Sequence, residues 1–211
     1  MASNREVNVK LLVATSNKGK VVEIEHEFRE AGLDAQFLGL KDLPSGWADV
    51  VEDRPTFVGN ATKKARHFAK LSGMLTLADD SGLCVDALDG APGVFSARYA
   101  GEPCDNAANN RKLLAAMDAV PEGKRGGQFV CAMALCAPVA DLAVFVDEVK
   151  GVILRELKGT NGFGYDPLFY FPEFGKTTAE LDMKTKGTIS HRGKALRKMI
   201  GFLTAHRGLL S

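Results

Sequence analysis

The stretch Ala78-Asp79-Asp80-Ser81-Gly82-Leu83 decides how this chain is read. It follows Met74-Leu75-Thr76-Leu77, an apolar run of strand character, and places two adjacent carboxylates where that run ends. Ser81-Gly82 then reads as a turn, with a second short strand at Leu83-Cys84-Val85. An unpaired carboxylate loses several kcal/mol of hydration on burial, so the pair is expected to be solvated, to share a proton or to hold a metal ion. Oxygen-rich surroundings without sulfur suit Mg2+ or Mn2+. The bland alternative is a solvated turn that caps the next element.

Working towards the N-terminus, Phe57, Ala61, Ala65, Phe68 and Ala69 share the spacing of one helical face, and Gly73 stops that helix. Asn60 and Lys64, one turn apart, are expected on another face. The preceding polar segment contains Pro44, Gly46, Glu52, Asp53 and Pro55, a candidate cleft wall. Further upstream, Val7 to Ala14 reads as a buried strand and Ala35 to Leu40 as a second one. Between them a helix is expected with Val21, Ile24, Phe28 and Ala31 on one face and Gly32 as its stop. The turn Thr15-Ser16-Asn17-Lys18-Gly19-Lys20 joins strand end to helix start. Hydroxyls, an amide, two ammonium groups and a permissive glycine there fit a phosphate cradle, although not a Walker loop. A helix-capping loop with solvated lysines is the other reading.

Towards the C-terminus, Asn106 to Met117 reads as helix, and Gln128 to Ala137 and Leu142 to Val152 read as adjacent antiparallel strands around Pro138. The sheet is therefore expected to be mixed. Gly162-Phe163-Gly164-Tyr165-Asp166-Pro167 fails the dinucleotide fingerprint, because its third glycine would fall at Pro167. Two glycines flanking an aromatic suit either a tight turn or close approach to a ligand whose base stacks on Phe163. Leu168 to Phe171 reads as a short strand, and Ser190 to about Arg207 as a last helix with Leu196, Met199, Ile200 and Leu203 inward. Ser190 is a candidate N-cap. His191 and Arg192 in its first turn oppose the helix dipole, which is compatible with an acceptor-rich ligand or with plain exposure, and Lys186 lies just upstream.

Composition removes several classes of function. The chain has 211 residues, 45% hydrophobic and 25% charged, an ordinary globular balance. Its 27 basic residues nearly cancel 26 acidic ones, so no global field points to nucleic acid or an anionic membrane. No stretch is long and apolar enough to span a bilayer, and the first residues lack a signal-peptide core. Cys84, Cys104, Cys131 and Cys136 have no C-x-x-C spacing and read as free thiols in a reducing, cytoplasmic compartment.

Taken together, Ala14 to Lys20, Phe57 to Ala65, Ala78 to Gly101, Gly162 to Pro167 and Ser190 to Leu196 closely resemble the inosine/xanthosine triphosphate pyrophosphatase family in order and spacing. The resemblance runs from Leu11 to Leu203 and implies one domain over residues 1–211. It implies an α/β fold with an elongated mixed sheet flanked by helices, two lobes and a central substrate cleft, assembled as a homodimer. The implied reaction is Mg2+-dependent hydrolysis of dITP, ITP or XTP to the monophosphate and pyrophosphate, with Mn2+ as a substitute ion, no nucleic acid partner and no membrane.

Carried onto this chain, the resemblance makes Asp80 the general base and a metal ligand, Glu52 a second ligand and Asp79 a supporting one, with Asp53 as the substitute for Glu52. It gives Thr15, Ser16, Asn17, Lys18, Gly19, Lys20, Asn60 and Lys64 to the phosphates and Ser81 to the substrate. Phe163, Gly164, Tyr165 and Asp166 form the base platform, with Lys186, His191 and Arg192 around the base. Two positions depart from the pattern: Gly59 where relatives often carry a carboxylate, and Phe95 where Tyr is common. A sanitising enzyme for modified pyrimidine triphosphates and a non-catalytic nucleotide sensor are the competing functions.

Overall fold

Residues Thr76 to Val85 form one uninterrupted strand, so the turn expected at Ser81-Gly82 does not exist. The computed structural model describes residues 9–33, 35–43, 50–206 and 209. In it β1 (Val9–Val13), α1 (Lys18–Glu30), β2 (Ala35–Gly39), α2 (Phe57–Ser72) and β3 (Thr76–Val85) are followed by α3 (Asn106–Ala116) and β4 (Gly126–Ala137). Then come β5 (Ala140–Ile153), β6 (Phe169–Phe171), β7 (Lys176–Thr177), α4 (Met183–Ile189) and α5 (His191–Ala205).

Among the described residues seven strands form one sheet in the order β2-β1-β3-β4-β5-β6-β7. β1 is parallel to β2 and β3, whereas β6 runs antiparallel to β5 and β7, which makes the sheet mixed as expected. Pro138 and Val139 alone separate β4 from its neighbour β5, a connection only an antiparallel pair can use. β3 sits between β1 and β4, pairing with β1 at Thr76 and Leu77, and it continues as one strand through Ser81-Gly82 against the turn preference of that dipeptide.

The chain divides into two compact units, one of residues 1–80, 132–146 and 195–211, the other of residues 81–131 and 147–194. The first is centred on small residues, with Ala61, Ala65 and Phe68 of α2 against Leu12, Ala78 and Ala134 of the strands. Small side chains on both partners allow the helix to lie close to the sheet. The second packs Leu83, Leu113, Phe129, Ile153, Tyr165 and Phe169. Within it Arg125 is only 2% exposed, and its guanidinium donates to the carbonyls of Met117, Val120, Ile153 and Leu154. A buried cation is tolerated there because carbonyl dipoles replace its water.

Several expected boundaries shift. α1 begins at Lys18, with Asn17 as its N-cap, and Ala31 is its exposed C-cap rather than part of the buried face. Asn60 and Lys64 do not face away from the core; both are buried. The C-terminal segment holds two helices, because Asp182 caps a separate α4 through its bond to Thr185 N at 2.7 Å. Val7, Pro44, Gly46 and Arg207 lie outside the described residues.

Gly193 is where α4 and α5 meet. A Cβ at this position would lie 1.7 Å from the Gly187 carbonyl oxygen, and backbone cannot rotate out of the way. Gly193→Ala is expected to cost about 3 kcal/mol, a fall in Tm of about 6–10 °C. Gly201→Ala, on an exposed stretch of α5 with no atom within 4 Å of the added carbon, should instead gain about 0.5–1 kcal/mol of stability. Thermal melts of the two variants check both signs.

Candidate active site

The first unit gathers acids and lysines around the end of its half of β3. Asp79 is 1% exposed and Asp80 5%, so neither is a solvated turn residue. Asp79 forms an ion pair with Lys20, which α1 presents from its first turn. Asp80 is pushed up to about 6, chiefly by burial; the Lys20 charge and the Asn60 amide pull it down, and Glu52 and Asp79 push it further up. An aspartate in this range changes protonation state near neutrality, as a general base must.

The segment before α2 is fixed by that helix. Lys64 pairs with Glu52, Lys63 donates to Val51 O at 2.8 Å and Asp53 Oδ1 at 2.7 Å, and Arg54 N donates to Asn60 Oδ1 at 2.9 Å. Burial works against the Lys64 charge, but Glu52, Asp80 and Asp79 outweigh it and raise its pKa. Glu52 thus faces the acidic centre, whereas Asp53 is exposed and held below the ordinary carboxylate range by Lys63. Asp53 is the weaker candidate of the two.

The expected phosphate cradle is in part a cap. Asn17 Oδ1 accepts from Gly19 N at 2.9 Å and Lys20 N at 3.2 Å, while Thr15 Oγ1 accepts from Asn17 N at 3.2 Å. Ser16 and Lys18 are exposed. The ordinary capping reading therefore holds for Asn17, whereas Lys20 is turned to an acid rather than solvated.

A metal ion can be tested against these residues. Glu52, Asp79 and Asp80 do not close into a three-carboxylate cage, and no such cluster of acids, histidines or cysteines occurs among the described residues. Asp80 Oδ2, however, is buried with no hydrogen-bond partner. Mg2+ is commonly held by one or two carboxylates with waters and substrate phosphates completing its shell, and the residues present fit that mode.

The second unit carries the aromatic loop and the basic residues. Gly162 and Gly164 take φ of +75° and +61°, which explains why glycine occupies both. Asp166 Oδ2 accepts from Phe163 N at 2.8 Å and from Lys186 Nζ at 2.6 Å, so one carboxylate oxygen fixes the loop and neutralises a buried lysine. Lys186 Nζ lies 5.1 Å and the Arg192 guanidinium 5.6 Å from the Phe163 ring centre. Arg192 also donates to Ser81 Oγ at 2.7 Å, and His191 stacks on Phe129 with ring centres 4.8 Å apart.

Phe163, Lys186, Arg192 and Ser81 are thereby linked, with Asp166 as a lock behind them. Tyr165 belongs to the core: it is buried, and its hydroxyl donates to Ser96 O at 2.8 Å. Asn110, unmentioned by the motifs, donates to Gly164 O at 2.9 Å. The unusual Asn109-Asn110 pair inside a helix was the only available signal for it.

The profile of the Ham1 family matches residues 11–202. The dITP/XTP pyrophosphatase of Desulforamulus reducens is 52% identical over 195 residues, 92% of this chain and 96% of that protein. The dITP/XTP pyrophosphatase of Geobacter sulfurreducens is 50% identical, covering 89% and 92%. A solved HAM1 protein from Coxiella burnetii superposes with a TM-score of 0.81 at 41% identity, covering 93% of this chain and 99% of that one.

Proposed function

Because the chain belongs to the Ham1 family, we propose that it hydrolyses the non-canonical purine nucleoside triphosphates dITP, ITP and XTP to the monophosphate and pyrophosphate. The observation that carries this reading is Asp80, buried beside Lys20 and Glu52 with one carboxylate oxygen uncommitted. One unit holds the chemistry a triphosphate needs and the other the chemistry an oxo-purine needs.

Asp80 accepts the proton of the water whose oxygen replaces pyrophosphate at phosphorus, so that one P–O bond forms as another breaks between the α and β phosphates. Asp80 and Glu52 would hold Mg2+, which when bound supplies charge neutralisation on the phosphate chain. Lys20 and Lys64 face the leaving pyrophosphate, and Asp79 keeps Lys20 oriented. On the base side Phe163 stacks the ring, and the donors of Lys186, His191 and Arg192 meet a 6-oxo group. Adenine offers an amino group there, which leaves donor against donor and costs about 1–3 kcal/mol.

The same reading makes residues 1–211 one functional domain that works as a homodimer in the cytoplasm. Support for the location is that the four cysteines are free and that no described helix is long and apolar enough to cross a membrane. Incubation with Mg2+ and dITP, XTP, dATP, dGTP or dUTP, with separation of products, tests the activity. Pyrophosphate and dIMP are expected, with kcat/KM for dITP about 100-fold above that for dATP. Orthophosphate as the product, a preference for dUTP, or absence of turnover by folded protein that binds the nucleotide would overturn the proposal.

A further inference from the structure

We propose that Asn110 is a positioning residue for recognition of the base: from α3 its amide pins the Gly164 carbonyl and thereby fixes where the Phe163 ring stands. The role deepens the pyrophosphatase reading above and rests on it. Asn110 lies outside every motif that named a site residue, yet its Nδ2 donates to Gly164 O at 2.9 Å, across 54 residues of chain. It is only 6% exposed, and among the described residues its Oδ1 accepts no hydrogen bond. A buried side-chain carbonyl in that state costs stability that an apolar side chain of the same size would not. The amide is therefore explained by what its donor holds, and not by the packing of α3.

The loop needs such a hold. Gly162 and Gly164 flank Phe163 at φ of +75° and +61°, and backbone beside glycine turns readily, so the residues that admit this shape do not by themselves keep it. Bonds within the loop close it: Phe163 N donates to Asp166 Oδ2 at 2.8 Å and Asp166 N to Phe163 O at 3.2 Å. Its foot is stapled to the segment before α4, where Asn161 N donates to Ala179 O at 3.0 Å and Asn161 Nδ2 to Leu181 O at 3.1 Å. Asn110 takes the apex, from a helix that contributes no other site residue. That helix is firmly seated, since Asp105 caps it through Ala107 N and Ala108 N, and Leu113, one turn on from Asn110, is buried in the same cluster as Tyr165. The Gly164 carbonyl is thus held from the core, next to the ring that lies 5.1 Å from Lys186 Nζ and 5.6 Å from the Arg192 guanidinium.

Asn110→Ala removes the donor, and Asn110→Asp keeps the shape but sets an oxygen against the Gly164 carbonyl. Asn109→Ala is the comparison: Asn109 is 2% exposed and bonds Ala97 O at 2.9 Å and Ala100 N at 2.7 Å, but not the loop. With Mg2+ and dITP, both Asn110 variants are expected to raise KM by about tenfold or more while kcat stays within about threefold, and to cut the preference for dITP over dATP by about fivefold. Asn109→Ala should lower the melting temperature yet leave KM and that preference within about twofold of the parent.

Hydrogen exchange without nucleotide reads the tether directly: the Phe163 and Asp166 amides should exchange at least about tenfold faster in both Asn110 variants and within about threefold of the parent rate in Asn109→Ala. Parent-like KM or parent-like exchange in folded Asn110→Asp would each overturn the inference. So would a fall in kcat with unchanged KM, or an equal rise in KM in Asn109→Ala, which would make the effect one of general stability. If the unaltered protein releases no pyrophosphate from dITP, the functional reading fails by itself, and the exchange rates still decide whether Asn110 holds the loop.

Discussion

Asp80→Asn is expected to lower dITP hydrolysis by about 1,000-fold and, in the metal-free protein at pH 8, to raise the melting temperature. Both effects have one origin. Burial lifts the carboxyl to about 6 from 3.8, so above pH 6 the folded protein keeps a charge that the unfolded chain carries more comfortably. The folded state binds its proton more tightly than the unfolded one, and this group therefore costs stability as pH rises from about 4 through about 6, with the full penalty above.

The gap between 3.8 and about 6 corresponds to about 3 kcal/mol, or about 6–10 °C in a chain of this size. Asparagine removes that penalty, so the variant should melt higher at pH 8 in EDTA, with an advantage about half as large at pH 5. Added Mg2+ should stabilise the unaltered protein and not the variant. Retention of more than about a tenth of the activity would remove Asp80 from its role as base. A lower melting temperature at pH 8 would show that the charged carboxylate is well compensated in the apo protein.

Much of this was legible in the residues, and the gaps have identifiable causes. The small and apolar positions of α2 found their face because Ala61, Ala65, Phe68 and Ala69 keep helical spacing. The same reasoning misplaced Asn60 and Lys64, since a binary pattern treats buried polar side chains as surface. Their burial depends on Glu52, Arg54 and Asp80, partners from segments that periodicity does not connect.

Ser81-Gly82 was misread for a related reason: local turn chemistry is visible in sequence, whereas the strands that β3 lies between are not. α4 escaped because its seven residues contain Gly187 and two threonines and lack an apolar stripe; capping by Asp182 and the close contact with Gly193 hold it in place. Arg125 could not have been foreseen, because its partners are backbone carbonyls with no signature in side-chain chemistry. The motifs pick out candidate residues, and the fold shows that two of them, Asp166 and Tyr165, are locked by hydrogen bonds.

Gly162→Ala should damage recognition of the base more than any other single-carbon change. The residue has φ of +75°, which already costs a side chain about 1–2 kcal/mol. More important, the added Cβ would stand 2.0 Å from Asp166 Oδ2 and 3.1 Å from Lys186 Nζ. That oxygen accepts both from Phe163 N and from Lys186, so displacing it breaks two hydrogen bonds at once. Phe163 would then lose its fixed position relative to Lys186 and Arg192.

The expected result is a KM for dITP raised by about 30-fold or more, with discrimination against dATP falling to less than about tenfold. At saturation kcat should stay within about tenfold of the parent, because Asp80 and Lys20 belong to a different part of the chain. Gly164→Ala is the matched control: φ there is +61°, but no atom lies within 4 Å of the added carbon. Backbone strain alone predicts a change in KM of about fivefold for Gly164→Ala. Equal KM values for the two variants would place the whole cost in backbone strain and remove the Asp166 lock from the account of base recognition.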